Sequence, residues 1–148
     1  MAYLFRFPSV TYQPGEVTAV AYLAGKEVGR KTLYTEKAPA RLELTCNRAA
    51  LPNVYGEIAY VDVTILDENG ARVQTRDREI TISVEGPAKL LAVGSANPRS
   101  NESYVENHRR SYQGRLQAVI CATGEGGGTI RVLTAAGNLR TGIVIPCQ

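Results

Sequence analysis

Tryptophan is absent from this chain, histidine and methionine occur once each, and cysteine three times. Each scarcity removes a class of function. A zinc centre or a serine triad built on imidazole would have to form around His108, and no partner set surrounds it in the sequence. Cys46, Cys121 and Cys147 are far apart and form no CxxC pair, so the spacing offers neither a zinc ribbon nor a redox motif. Free thiols are the expected state, with one disulfide and a leftover thiol as the alternative. No apolar run nears the roughly 20 residues that a bilayer span needs, so no membrane partner is expected. The opening Met1-Ala2-Tyr3-Leu4-Phe5-Arg6 lacks the basic leader, long apolar core and cleavage site of a signal peptide. Charge of one sign is also lacking. The net charge is +3, the basic residues are scattered among acidic ones, and only Arg109 and Arg110 beside His108 form a local basic group. A nucleic-acid surface would need a basic stripe interleaved with aromatics, so no nucleic-acid partner is expected.

What the chain has in quantity is glycine (14), proline (7) and β-branched or aromatic apolar residues. Such residues fit a pleated surface, and glycine supplies the positive φ of tight turns. Glu16 to Leu23 and Lys26 to Tyr34 read as strands about an Ala24-Gly25 turn, and Arg41 to Thr45 alternates polar with apolar. Asn47 to Gly56, with Pro52, Asn53 and Gly56, reads as a linker. Beyond it Ala59, Val61, Val63 and Ile65 share one strand face and Tyr60, Asp62 and Thr64 the other. The strand ends in Asp67-Glu68-Asn69-Gly70, a hairpin signal. Glu79 to Glu85 places Ile80, Ile82 and Val84 inward, and Lys89 to Gly94 is a short apolar strand. Ser95 to Gly114 reads as a long surface loop, and Gly114 to Ala122, Gly128 to Ala135 and Leu139 to Ile145 complete the set.

The pattern predicts an all-β protein: an immunoglobulin-like β-sandwich over 49–148, preceded by a partial β-sandwich segment over 1–48. The first segment holds three strands, or four with Tyr3 to Phe7, whereas a complete sandwich needs about 100 residues.

Chemistry-bearing constellations are few. The glycine run Gly124 to Gly128 has no Lys-Ser/Thr and no following helix, so it reads as a turn rather than a phosphate cradle. Asp67-Glu68-Asn69-Gly70 starts like a calcium loop, but Arg78 stands where the closing Glu belongs. Glu102 and Glu106, near Tyr104 and His108, are the carboxylates that a paired-carboxylate site could use. They lie in a polar loop that promises no shifted pKa values, and a solvated loop is the expected reading. No catalytic, cofactor-binding or metal-binding residue is therefore expected.

Certain runs resemble a known family. They are Val61-Asp62-Val63-Thr64-Ile65-Leu66-Asp67-Glu68-Asn69-Gly70, Ile82 through Gly94, Asn97-Pro98-Arg99-Ser100-Asn101-Glu102-Ser103-Tyr104 and Tyr112-Gln113-Gly114-Arg115. In order and spacing they resemble the C-terminal immunoglobulin-like domain of glycoside hydrolase family 2 enzymes of the bacterial β-galactosidase type. Tyr12-Gln13-Pro14-Gly15-Glu16-Val17 and Ala21 through Val28 are similar to the end of the preceding β-sandwich domain. Gly94-Ser95-Ala96-Asn97-Pro98, Tyr112 and Thr35-Glu36-Lys37 depart from the family's usual turns.

The resemblance implies a non-catalytic accessory region, because such enzymes carry their glutamates on a (β/α)8 barrel of about 250 residues. Its implied partners are the catalytic and neighbouring β-sandwich domains of a parent enzyme, or another copy through exposed strand edges. Two other readings stay open, a carbohydrate-binding module and an independent adhesion-type immunoglobulin-like domain. With no Trp and two Phe, stacking platforms are scarce, though Tyr104 and Tyr112 flank the long loop.

Overall fold

The computed structural model describes residues 4–148, and the chain divides into two compact units, 1–35 and 36–148. Among the described residues every regular element is a strand.

The first unit is a hairpin of β1 (Glu16–Leu23) and β2 (Lys26–Tyr34). Ala24 and Gly25 turn it with φ of 49° and 78°, the paired left-handed conformation whose twist matches the strands it joins. Thr18 and Thr32 share a 2.8 Å hydrogen bond across the strands. At the open end the Thr35 amide donates to the Gly15 carbonyl at 2.7 Å, and the Gly15 amide donates back to the Thr35 hydroxyl at 3.1 Å. Val17 and Leu33 sit opposite each other, 59% and 66% exposed, so an apolar cross-strand pair lies in solvent. Tyr22, Val28 and Tyr34 are exposed as well. The expected strand from Tyr3 to Phe7 does not form over Leu4–Phe7, and Tyr3 lies outside the described residues.

The second unit is a sandwich of two four-stranded antiparallel sheets. One has the order β3 (Arg41–Cys46), β4 (Ile58–Leu66), β8 (Arg115–Ala122), β6 (Ala88–Gly94). The other has the order β10 (Leu139–Cys147), β9 (Gly128–Ala136), β5 (Glu79–Glu85), β7 (His108–Arg110). Counting β3 as strand A, these are the ABED and GFC sheets of an immunoglobulin constant-type domain, with the short β7 added beside strand C.

The core lies between the sheets. Val61, Val63, Ile65, Ile80, Ile82, Ile120, Ile130 and Val132 are each fully buried, because alternate residues of a strand share a face. Each such side chain contributes about 1.5–3 kcal/mol by leaving water. Asp62, Thr81 and Ser83 are exposed as expected, while Val84 and Thr64 are half-buried toward the sheet ends.

The chain divides after Thr35 rather than after residue 48, because β3 belongs to the sandwich. It pairs with β4 from Arg41↔Leu66 to Cys46↔Val61 and buries Leu42. The expected linker from Asn47 to Gly56 is likewise part of the fold. Leu51 is fully buried, its amide donates to the Pro146 carbonyl at 2.9 Å, and its carbonyl accepts from the Gln148 amide. The segment thus crosses from the edge of one sheet to β10 of the other.

Asp67-Glu68-Asn69-Gly70 does turn the chain, with Gly70 at φ 80°, but the hairpin stops at a single Leu66↔Arg72 bridge. β5 then enters the opposite sheet. The buried Asp67 carboxylate organises this corner. It accepts from the Lys37 amide at 2.9 Å and from the Asn69 and Ala71 amides at 2.9 and 2.8 Å. The Lys37 bond first, then those of Ala71 and Asn69, hold its pKa below the ordinary carboxylate range against the opposing effect of burial.

Val63→Asp places an unpaired charge between the sheets and is expected to cost several kcal/mol, at least about 3. Ser83→Asp, on the exposed face, is expected to stay within about 0.5 kcal/mol. Urea unfolding of the two variants checks the register.

Candidate functional site

The polar segment between β6 and β7 contains most of the singled-out side chains, and it is more ordered than a solvated loop. Asn97 starts it with an Asx turn, accepting from the Arg99 amide at 3.0 Å. The Ser100 hydroxyl donates to Glu102 Oε2 at 2.7 Å, and Glu102 Oε1 accepts from the Arg110 amide at 2.9 Å. The Val93 amide donates to the Tyr104 carbonyl and the Ile82 amide to that of Asn107, tying the segment to a strand of each sheet.

Arg109 holds the centre. β7 pairs with β5 so that Arg109 lies opposite Ile80, which turns its side chain inward, and the whole residue is buried. Nη1 donates to the carbonyls of Glu102 and Ser103 at 2.9 and 3.3 Å, and Nε donates to Ser95 Oγ at 3.3 Å. The guanidinium carbon lies 4.1 Å from the Tyr104 ring centroid, a cation–π contact. Nη2 is buried without a partner. The arginine therefore closes the gap between the β6 and β7 edges and fixes the chain that runs between them.

The two loop carboxylates are not brought together as a pair. Glu102 is committed to the brace. The Ser100 hydroxyl and the Arg110 amide hold its pKa below the ordinary range, assisted by the charges of Arg109 and Arg110 and opposed by burial. A glycosidase acid needs the reverse shift. Glu106 and His108 are exposed, and the imidazole Nδ1 lies 3.4 Å from Asn107 Oδ1.

The other candidates are also explained by structure. Gly124 to Gly128 is an exposed connection between β8 and β9. Cys46 is half-buried, Cys121 and Cys147 are buried, and all three are free thiols. Among the described residues no three His, Cys, Asp or Glu side chains gather as a metal site would require. The segment after Tyr112 turns through Gly114 at φ 71°, where a Cβ would stand 2.1 Å from the Val73 carbonyl oxygen. Asp77 secures that turn, accepting from the Ser111 hydroxyl at 3.1 Å and the Gly114 amide at 3.0 Å.

A groove of about 530 Å³ lies on the outer face of the β3–β4–β8–β6 sheet. Thr45, Asp62, Thr64, Arg115 and Gln117 line it, with Gly94 to Ala96 along one side. The Gln117 amide donates to Asp62 Oδ1 at 2.8 Å.

This sandwich has counterparts among known proteins. The family model for the glycoside hydrolase family 2 C-terminal domain 5 matches residues 42–144. The chain belongs to that family. A domain of unknown function, DUF4982, matches residues 1–29, so the two matches fall on either side of the division after Thr35. A glycosyl hydrolase family 2 member from Bacteroides cellulosilyticus is 31% identical with a TM-score of 0.88, over 94% of this chain and 18% of that one. A β-glycosidase from Bacteroides vulgatus is 25% identical with a TM-score of 0.80, over 93% and 18%. Among sequences, the β-galactosidase BoGH2A of Bacteroides ovatus is 30% identical over 128 residues. The chain spans 15% of that relative's length, so this family 2 C-terminal domain corresponds to a small part of the proteins it matches.

Sequence reasoning missed the burial of Arg109, because an arginine in a polar stretch beside His108 and Arg110 reads as solvated. Its position opposite Ile80 becomes visible only once β7 is paired with β5.

Arg109→Ala is expected to destabilise the domain by about 2–4 kcal/mol, through lost hydrogen bonds and exposed carbonyls. Glu102→Gln tests the carboxylate. A lowered folded-state pKa gives stability that is present above the unfolded value and disappears as pH falls through the folded one. The difference in urea midpoint between wild type and Glu102→Gln should accordingly be largest near neutrality and shrink on acidification below the ordinary carboxylate range.

Proposed function

We propose that this chain is the non-catalytic C-terminal accessory region of a β-galactosidase-like family 2 glycosidase, packing on the sugar-cleaving part or mediating oligomer contacts. The observation that carries the reading is the use made of the polar loop. Its best-placed carboxylate, Glu102, is a brace with a lowered pKa, and its only histidine faces solvent. The membership in the family 2 C-terminal domain supports the same conclusion, since the barrel that bears catalytic glutamates needs about 250 residues.

The first unit supports the packing role. An isolated two-stranded hairpin is marginal in water. Here Val17, Leu33, Tyr22 and Tyr34 are exposed on its faces, with Phe5, Phe7 and Tyr12 exposed before it. Such a surface suits a neighbouring domain of the parent enzyme better than water.

The chain is expected to release no chromophore from aryl β-galactosides or β-glucuronides. Turnover that stays with the purified protein and disappears in Glu102→Gln or Glu106→Gln would overturn the reading. Val17→Lys with Leu33→Lys should leave the melting of the sandwich unchanged while abolishing any concentration-dependent self-association seen by light scattering.

A further inference from the structure

We propose that the groove on the outer face of the β3–β4–β8–β6 sheet, which adjoins the residues braced by Arg109, binds a neutral saccharide. The chemistry of the lining selects the ligand class. Asp62 supplies a carboxylate that accepts from hydroxyls, while Arg115 and the Gln117 amide supply donors. Asp62 is already positioned by the 2.8 Å bond from Gln117, so the acceptor is pre-set rather than free to rotate. Thr45, Thr64 and Ser95 add hydroxyls that both give and take. One carboxylate and one guanidinium balance, which suits an uncharged polyol better than an anion, a cation or nucleic acid. Val63 and Leu116 also touch the groove, but both are buried in the core, so the floor offers no exposed apolar anchor of the kind a protein partner would need.

Two further observations fit a sugar. Gly94 has no side chain, and the Tyr104 ring lies 3.7 Å from where its Cβ would stand, beside the groove. Tyr104 is 57% exposed, and its ring is backed by the Arg109 guanidinium at 4.1 Å. An exposed ring next to a row of polar groups is what the apolar face of a pyranose requires. Ser95 belongs both to the groove and to the Arg109 hydrogen bonds, so the buried arginine fixes the rim. The volume of about 530 Å³ lies within the range of about 300–1,000 Å³ common to small-ligand sites.

The test is a two-dimensional amide NMR titration of the 148-residue chain with lactose, cellobiose and xylobiose, and glucuronic acid as charged control. The neutral disaccharides are expected to bind in the millimolar range, shifting the Thr64, Gly94 and Gln117 amides. Asp62→Ala, Gln117→Ala and Tyr104→Ala should each weaken binding about tenfold. Asp62→Ala and Gln117→Ala should do so with melting curves like wild type, so that loss of fold is not mistaken for loss of contact. No shift with any neutral probe at saturating concentration would overturn the site. So would shifts confined to other surfaces, shifts that survive Asp62→Ala unchanged, or stronger binding of glucuronic acid. Cleavage of a disaccharide in the same spectra would count against the accessory reading alone, leaving the groove assignment to stand on the shift map.

Discussion

Val61, Val63 and Ile65 from one sheet meet Ile80, Ile82, Ile130 and Val132 from the other, and this dry layer sets the terms for the rest of the sandwich. A strand turns alternate residues to opposite sides, so a one-residue slip in β4 would place Asp62 and Thr64 in the core and Val63 in water. Register is therefore fixed by burial rather than by any single turn. The same layer recruits segments that local sequence assigns elsewhere. Leu42 draws β3 into the sheet, and Leu51 draws the Asn47–Gly56 segment across to β10.

Besides the Asp67 carboxylate at its corner, the buried interior accepts a charge at Arg109. Removing a guanidinium from water is costly, and the site offers no carboxylate in an ion pair with it. It is met instead by two backbone carbonyls, the Ser95 hydroxyl and the Tyr104 ring, with Nη2 left over. The expense is balanced by order. One side chain holds the crossing between the sheet edges, sets Glu102 as a brace and positions Tyr104 beside the polar groove. This economy explains why a loop rich in Glu, Tyr and His can be well ordered without being a reaction centre.

Strands with period-two alternation were legible in the sequence, because side-chain alternation is a local property. β4 follows it from Ala59 to Val63 and β5 from Glu79 to Ser83. The division of the chain was not legible in the same way. Pro52, Asn53 and Gly56 have the composition of a linker, and only the long-range pairing of Leu51 with Cys147 reveals them as part of the fold. Asn69-Gly70 signalled a turn correctly, but the partner sheet of the next strand depends on distant β9. Arg109 was hidden for the same reason, since its inward direction follows from pairing with β5. The groove was illegible too: Asp62 and Gln117 are 55 positions apart and meet only because β4 pairs with β8.

The hairpin of the first unit stands in contrast. It has a well-formed turn and closed ends, yet its apolar residues find no core within the unit. On the proposed reading that surface faces a neighbouring domain, whereas the sandwich carries its own buried core. Amide hydrogen exchange on the chain kept dilute and monomeric tests this difference directly. The Val17 to Tyr22 amides should exchange far faster than those of Val61 to Ile65, because local opening needs little free energy where few apolar contacts hold. Equal and strong protection of both segments in the monomer would contradict the account.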